Sequence, residues 1–178
     1  MAELGRKSVE EFKASAKTPI ILVLENIRSA YNVGSVFRTS DAFLVQAIYI
    51  IGYSAKPPHK EIKKTALGAE ETVSWKYFKT TEEAIEELRQ EGFNVYAAEQ
   101  AEGSFKLNAI GFDPDEKIAV VFGNEVTGVE QSTIALCDGC LEIPQLGMKH
   151  SLNIATAAGV VLWELVRGIV GVESRAEA

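Results

Sequence analysis

Short runs of apolar residues, many of them β-branched, alternate along this chain with longer stretches in which apolar positions recur at helical spacing. Buried strands are predicted at residues 20–24, 47–51, 73–77, 94–98, 118–122 and 141–143. Helices are predicted at residues 32–43, 62–67, 81–91, 130–136 and from residue 152 onward, with Asn32 as the cap of the first and Thr80 with Glu83 as a capping box for the third. Strands that alternate with helices indicate an α/β fold, with a mostly parallel sheet and helices on both of its faces.

The length of 178 residues fits one domain, and the apolar fraction of 47% with a charged fraction of 24% is ordinary for a globular protein. We expect a short N-terminal extension at residues 1–18, the domain at 19–172 and a tail at 173–178. The most apolar segment, residues 152–172, contains Asn153, Glu164 and Arg167, which favours a buried helix over a membrane span. The first residues lack the apolar stretch of a secretory signal, so a cytoplasmic location is expected.

The net charge of −7 argues against broad, non-specific affinity for nucleic acid, because such binding depends on neutralising phosphates with Lys and Arg. A local basic cluster nevertheless surrounds a Pro-Pro pair, and its members are Lys56, His59, Lys60, Lys63 and Lys64. Two interpretations stay open: a solvated surface loop, or a surface that faces RNA.

Cys137 and Cys140 form a C-x-x-C pair. A structural zinc site needs four ligands, and only His59 and His150 could add to this pair. A redox pair would open a helix, whereas Cys140 enters a strand-like run. We therefore interpret the pair as two small, mostly buried thiols and expect no metal.

Three loops, within residues 25–38, 122–128 and 143–153, each follow a predicted strand and precede a helical pattern. Ligands of open α/β sheets bind outside the carboxyl ends of the strands, so three such loops can build one site. The second loop has the G-x-x-x-x-G spacing of a phosphate-binding loop, but Val129 and Glu130 follow it and Glu125 would repel phosphates. A nucleotide hydrolase is therefore disfavoured.

Each loop also has a purely structural interpretation. Asn32 could be only a helix cap, Arg38 only a solvated side chain, and Ser151 with Asn153 could only satisfy the start of the last helix. The second loop could be only a glycine turn. No single loop decides between structure and function.

The three loops together read N-x-x-x-x-x-N-x-G-x-x-x-R, F-G-N-E-x-x-G and I-P-x-x-G-x-x-x-S-L-N. This order and spacing resembles the signature motifs of the SpoU (TrmH-like) family of SPOUT RNA methyltransferases. Residues 64–70, KTALGAE, also resemble the family's connecting segment, while Gln145 stands where the family often has Met. The resemblance covers residues 19–170.

The resemblance implies an α/β domain with a C-terminal trefoil knot, S-adenosylmethionine as methyl donor and a homodimer. Small residues at 155, 157, 158 and 159 are expected to permit close approach of the last helices of two copies. The implied reaction is methylation of a ribose 2′-hydroxyl in tRNA or rRNA, and the short chain favours tRNA. Methylation of a base and a non-catalytic RNA-binding protein of the same fold are the alternatives.

The resemblance also assigns residues. The implied cofactor-binding residues are Glu99, Gly123, Ile143, Ser151 and Leu152, and the implied catalytic residues are Asn32, Arg38, Glu125, Ser151 and Asn153. The donor is already electrophilic, so no metal is required.

The resemblance also implies that Arg38 activates the hydroxyl. A guanidinium stays protonated in proteins and is a poor base. Our hypothesis is therefore that Arg38 holds a neighbouring phosphate and stabilises negative charge that develops on oxygen.

Overall fold

The computed structural model describes residues 7–113, 115–148 and 151–176, with side chains described up to residue 167. The described residues form seven strands: β1 (Thr18–Glu25), β2 (Val45–Ile51), β3 (Trp75–Phe78), β4 (Asn94–Ala98), β5 (Phe105–Lys106), β6 (Ile118–Phe122) and β7 (Gly139–Glu142). The helices are α1 (Val9–Ala14), α2 (Ala30–Ala42), α3 (Lys60–Ala66), α4 (Ala69–Thr72), α5 (Thr81–Gln90), α6 (Gln131–Leu136) and α7 (Ile154–Ala176), with a 3-10 helix at Leu107–Ala109.

One sheet contains all seven strands in the order β3-β2-β1-β6-β4-β7-β5. Every neighbouring pair in it is parallel, so the carboxyl ends of the strands lie along one edge. This confirms the predicted α/β class. The C-terminal knot stays a prediction.

Two hydrophobic clusters lie on opposite faces of the sheet, and β1 contributes to both because its side chains alternate. Leu22 and Leu24 are fully buried in the cluster that includes apolar residues of α2 and α7. Ile21 and Val23 are buried in the other cluster, which includes residues of α5. The prediction of helices on both faces is confirmed.

The start of α2 differs from the prediction in a way that matters for function. The hydroxyl of Ser29 accepts a hydrogen bond from the Asn32 backbone N–H at 3.3 Å, so Ser29 caps the helix. The prediction that Asn32 is the cap is wrong, because Ser29 already has the extended backbone and the hydroxyl that a cap needs. The Asn32 amide is consequently available for other contacts.

Several elements outside the strongest periodic patterns were missed or misplaced, and α1, α4, β5 and the 3-10 helix had no predicted counterpart. Strand β5 has only two residues, both exposed, and carries no hydrophobic period. Helix α3 begins two residues earlier than predicted, because the His59 ring accepts a hydrogen bond from the Glu61 N–H at 3.2 Å and caps it.

The predicted N-terminal extension contains α1, whose Phe12 is buried in the core. At the other end, α7 continues to Ala176, past the predicted domain limit at 172. Within the described part of the chain, no helix combines the length and apolar character needed to cross a membrane.

Cys140 is buried on β7 and Cys137 lies just after α6, and both are free thiols. Burial raises the pKa of Cys137 to about 12, which favours the protonated thiol over the thiolate that would react or bind a metal. His150, one of the two candidate additional ligands, lies outside the described residues. Among the residues described, no cluster of three or more His, Cys, Asp or Glu side chains suits a metal ion.

Candidate functional site

The second and third loops line an open cavity of about 1110 Å³ at the carboxyl edge of the sheet, and the first loop joins them through hydrogen bonds. This volume is slightly above the range of roughly 300–1000 Å³ that is usual for ligand pockets. The strand ends of β4, β6 and β7 and the start of α7 form its walls. All five residues implied for the cofactor lie on those walls, namely Glu99, Gly123, Ile143, Ser151 and Leu152. We call this space the donor cavity.

A polar cluster joins all three loops at the rim of the donor cavity. The Glu125 carboxylate accepts hydrogen bonds from the backbone N–H groups of Arg28 at 2.9 Å and Ser29 at 3.1 Å. It also accepts one from the Asn32 amide at 2.8 Å. The carbonyl oxygen of the same Asn32 amide accepts a hydrogen bond from the Asn153 amide at 3.1 Å. The structure therefore brings together three of the residues implied as catalytic.

The charge of Glu125 is set by two opposing effects. Partial burial raises the pKa of its carboxyl, but the hydrogen bonds donated by Arg28, Asn32 and Ser29 outweigh that effect and the pKa lies below its usual value. The carboxylate is therefore ionised near neutral pH and is a weak base. Its geometry suits an anchor for the Asn32 amide better than a proton acceptor.

The second loop is folded tightly on itself. The Asn124 side-chain oxygen accepts hydrogen bonds from the N–H groups of Val126 at 2.9 Å and Thr127 at 3.2 Å. A Cβ atom on Gly123 would lie 2.2 Å from the carbonyl carbon and oxygen of Gly128 and from the nitrogen of Val129. Only glycine fits at Gly123, because the atoms that approach it are backbone.

Glu99 is fixed by the same loop. One carboxylate oxygen accepts a hydrogen bond from the Val129 N–H at 3.2 Å, and the other accepts one from the Gln100 N–H at 2.9 Å. Gly128 has a φ of +73° and approaches this carboxylate too closely for a side chain. Glu99 is therefore held in one orientation on the wall of the donor cavity.

The pattern of apolar runs did not single out a buried carboxylate at the end of β1. Glu25 is 1% exposed. It accepts hydrogen bonds from the hydroxyls of Thr81 at 2.6 Å and Thr133, and from the Glu130 N–H at 2.9 Å. These bonds hold the starts of α5 and α6 against β1. The sequence feature that could have revealed Glu25 is its position as an acidic residue directly after an apolar run.

In the part of the chain that the structure describes, the remaining two residues implied as catalytic make no hydrogen bond to this cluster. Ser151 is exposed and lines the donor cavity. Arg38 is exposed on α2, six residues beyond Asn32, which corresponds to a rise of about 9 Å along the helix. Arg38 is not one of the described residues that line the donor cavity.

Another carboxylate, Glu142, supports the cavity wall formed by residues 98–104. It accepts hydrogen bonds from the Gln100 amide at 3.0 Å and the Ser104 hydroxyl at 2.5 Å, and it forms an ion pair with Lys106. The Lys106 ammonium first, and the Ser104 hydroxyl next, hold the pKa of Glu142 at about 2.

Glu142→Gln is therefore expected to loosen this wall and to weaken donor binding about fivefold at pH 7, through the loss of charge-assisted bonds. A carboxylate whose pKa is lowered by folding stabilises the protein above its unfolded pKa, near 4.5, and loses that effect as the pH falls toward about 2. The difference in thermal midpoint between wild type and variant should be constant from pH 7 to pH 5 and shrink below that. Glu86→Gln, at an exposed carboxylate of α5 outside the lining of the donor cavity, is the control. An equal difference at pH 7 and pH 2.5 would contradict the assignment.

Comparison with known proteins agrees with this geometry. A family model described as the SpoU rRNA Methylase family matches residues 19–163. The chain is 32% identical over 165 residues to the tRNA (guanosine(18)-2′-O)-methyltransferase of Thermus thermophilus, covering 93% of this chain and 83% of that protein.

Two solved structures share the fold and more than a quarter of the aligned sequence. The AdoMet-bound rRNA methyltransferase from Sinorhizobium meliloti matches with a TM-score of 0.80 and 27% identity, covering 86% of this chain and 58% of its own. A protein studied for the 2-OH methylation of C/U34 on tRNA matches with a TM-score of 0.76 and 27% identity, covering 85% of this chain and 97% of its own. The resemblance drawn from the three motifs is confirmed, and this chain belongs to the SpoU rRNA methylase family.

Proposed function

We propose that this protein transfers a methyl group from S-adenosylmethionine to a ribose 2′-hydroxyl of RNA. The observation that carries the proposal is the hydrogen-bonded cluster of Asn32, Glu125 and Asn153 at the rim of the donor cavity. The Thermus thermophilus relative is named for 2′-O-methylation, and the Sinorhizobium meliloti structure holds AdoMet, which supports both the reaction and the donor.

The walls of the donor cavity fit an adenosyl group chemically. Ile143 and Leu152 provide apolar contacts for a flat base, and the oriented Glu99 carboxylate can accept hydrogen bonds from sugar hydroxyls. Backbone groups near Gly123 can approach a ligand closely. When bound, the donor supplies an electrophilic methyl group.

The polar cluster is proposed to hold the acceptor nucleotide. Asn32, Ser151 and Asn153 carry the amide and hydroxyl groups that would contact the ribose, and Glu125 keeps the Asn32 amide in one orientation. Because Glu125 is ionised and already accepts three hydrogen bonds, we assign it an orienting role. Positioning of the hydroxyl for in-line attack is then the main contribution of these residues.

Incubation of the protein with S-adenosylmethionine labelled in the methyl group and total RNA tests the reaction. Digestion of the labelled RNA, followed by mass spectrometry, should identify a 2′-O-methylated nucleoside. A base-methylated nucleoside would contradict the ribose assignment. Absence of label in RNA that the protein binds would favour the non-catalytic alternative.

Transfer RNA is the substrate class that we propose first. Two of the three proteins compared above, those with the highest coverage of their own chains, are named or studied for tRNA methylation. Separate reactions with tRNA and with ribosomal RNA test this choice. Faster labelling of ribosomal RNA at equal concentration would contradict it.

The basic cluster defined above is proposed to contact RNA phosphates. Its four lysines are exposed, and Lys63 and Lys64 lie in the last turn of α3. We expect the double charge reversal Lys60→Glu with Lys63→Glu to weaken RNA binding and to make the slope of log K against log salt shallower by roughly 1.4–1.8, since two phosphate contacts are lost.

The matched control for this charge change is Lys13→Glu with Lys117→Glu, at two exposed lysines on α1 and just before β6. Those positions lie away from the carboxyl edge of the sheet. Binding isotherms at several salt concentrations measure both pairs. Equal slopes for the two double variants would contradict the assignment of the basic cluster.

The homodimer is also proposed, although not through all of the small residues expected. Ala158 is buried in the core of its own chain, so it is not available to a partner helix. The exposed stripe of α7 instead contains Thr156, Val160 and Trp163, and Trp163 is 59% exposed. A large exposed aromatic residue on an otherwise packed helix is typical of an interface.

Trp163→Glu is expected to weaken dimerisation by at least about 30-fold, as loss of an aromatic hot spot does. Sedimentation velocity at micromolar concentration should then show monomer for the variant and dimer for the wild type. Val9→Glu, at an exposed apolar position of α1, is the control and should leave the dimer intact. A monomeric wild type would contradict the proposal.

We further propose residues 19–172 as the limits of the methyltransferase domain.

A further inference from the structure

The carboxyl edge of the sheet extends beyond the donor cavity. The cavity uses the ends of β4, β6 and β7, and the polar cluster uses the loops after β1 and β6. Strands β2 and β3 are the next two along the same edge. Neighbouring strands lie about 4.8 Å apart, so the ends of β2 and β3 lie about 5 and 10 Å beyond that of β1. Tyr53 follows β2, and Tyr77 belongs to β3.

Tyr53 is exposed and yet held in place. The residue is 65% exposed, while its hydroxyl oxygen lies 2.7 Å from the Asn124 amide nitrogen, which donates to it. The preceding Gly52 has a φ of +63° and lies where a Cβ atom would be 2.1 Å from the Asn26 side-chain oxygen. The Tyr53 N–H donates to the same Asn26 oxygen at 3.4 Å, which holds the Tyr53 backbone to the first loop. An aromatic ring that is fixed at its polar end and open to solvent on its apolar face is suited to stacking.

Lys56 is held beside it by an aromatic ring. Its ammonium lies 3.5 Å from the centroid of the Tyr77 ring, and the Tyr77 hydroxyl donates to the Gly52 carbonyl at 3.1 Å. Among the residues that the structure describes, no carboxylate forms an ion pair with Lys56. A cation–π contact of this kind orients an ammonium without neutralising it, which leaves its charge available to an anion.

We propose that Tyr53 stacks on an unpaired base next to the target nucleotide and that Lys56, oriented by Tyr77, binds an adjacent phosphate. This inference rests on the proposed function and assigns the path of the RNA: from the donor cavity, across the end of β1, toward β3. Bases splayed out of single-stranded RNA stack on aromatic side chains, and lysines along the strand bind its phosphates. The protein has a net charge of −7, so a fixed, unpaired ammonium beside an exposed ring marks a local site for an anion that carries a flat base.

Tyr53→Leu and Tyr53→Phe separate stacking from the hydrogen bond to Asn124. The leucine variant removes the ring and should weaken binding of RNA about 5- to 160-fold, the range expected for loss of one base–aromatic stack. The phenylalanine variant keeps the ring and should bind within about threefold of wild type, because only one neutral hydrogen bond is lost. Equal losses in the two variants would show that the hydroxyl matters and would overturn the stacking role.

Lys56→Gln should make the salt dependence of binding shallower by about 0.7, the contribution of one phosphate contact to a single strand. Tyr77→Leu, which releases the ammonium from its ring, should change the slope in the same direction. An unchanged slope in both variants overturns the phosphate contact. Phe105→Leu is the control, since it removes a 48%-exposed ring from the strand at the opposite end of the sheet.

The probe is a fluorescein-labelled, unstructured RNA 12-mer of mixed sequence, with binding followed by anisotropy, and a second copy carries 2-aminopurine to report stacking. Wild type should quench 2-aminopurine fluorescence and Tyr53→Leu should not. Affinity for S-adenosylmethionine, measured by calorimetry, should be equal in all variants and excludes misfolding. Wild type that methylates RNA while Tyr53→Leu binds and quenches like wild type overturns only this inference. Wild type that transfers no methyl group instead contradicts the proposed function.

Discussion

A Gly123→Ala chain should bind S-adenosylmethionine at least about 100-fold more weakly than the wild-type chain, a change of roughly 3 kcal/mol. The added Cβ atom would lie 2.2 Å from three backbone atoms of Gly128 and Val129. Backbone cannot rotate away as a side-chain tip can, so the second loop must move as a unit. That loop forms one wall of the donor cavity and carries Glu125, so one methyl group disturbs both donor and acceptor sites.

Isothermal calorimetry with the donor measures the effect of Gly123→Ala, and thermal unfolding distinguishes a lost site from a lost fold. Gly111→Ala is a matched control, because a Cβ atom there meets nothing within 4 Å. It should leave both donor affinity and thermal midpoint unchanged. A Gly123→Ala chain with near-normal donor affinity would mean that the second loop does not contact the donor.

The sequence predicted the bounds of β4 and β6 correctly. All five residues of β6 are buried, and a parallel strand covered on both sides reads as a continuous apolar run. In β4 only Val95 and Ala97 are buried, and its prediction came from its short apolar run. Hydrophobic pattern could not reveal β5, which is short and exposed. It also could not place the cap of α2, because Ser29 and Asn32 both have suitable side chains and only the backbone decides between them.

The candidate site was harder to predict from local sequence patterns than the sheet was. Glu125 and Asn32 are 93 residues apart, and Asn32 and Asn153 are 121 apart, so no helical or strand period relates them. The motifs brought them together only through a family resemblance. Tyr53 had no motif at all, and its relevance follows from the sheet order, which places the end of β2 beside the polar cluster.

Arg38→Lys is expected to lower the methylation rate about 100-fold or more while leaving donor affinity within twofold of wild type. Arg38 is exposed on α2 and absent from the described lining of the donor cavity, so its loss removes no contact to the donor there. A guanidinium presents a planar fork that binds a phosphate through two hydrogen bonds, and the ammonium of lysine cannot reproduce this geometry. The charge is kept in the variant, so a large loss must come from geometry.

The pattern of kinetic constants decides between the two roles for Arg38. If Arg38 stabilises charge through a held phosphate, kcat falls in Arg38→Lys, and the rate keeps the pH dependence of wild type because no titrating group has been removed. If Arg38 were the base that accepts the hydroxyl proton, replacing it by lysine would introduce a group with a lower pKa and shift the alkaline side of the profile. Arg89→Lys is the control, since the Arg89 guanidinium lies on α5 and donates to the Leu136 carbonyl at 2.6 Å. Near-wild-type turnover in Arg38→Lys, under conditions where Arg89→Lys is also fully active, would remove Arg38 from the catalytic assignment.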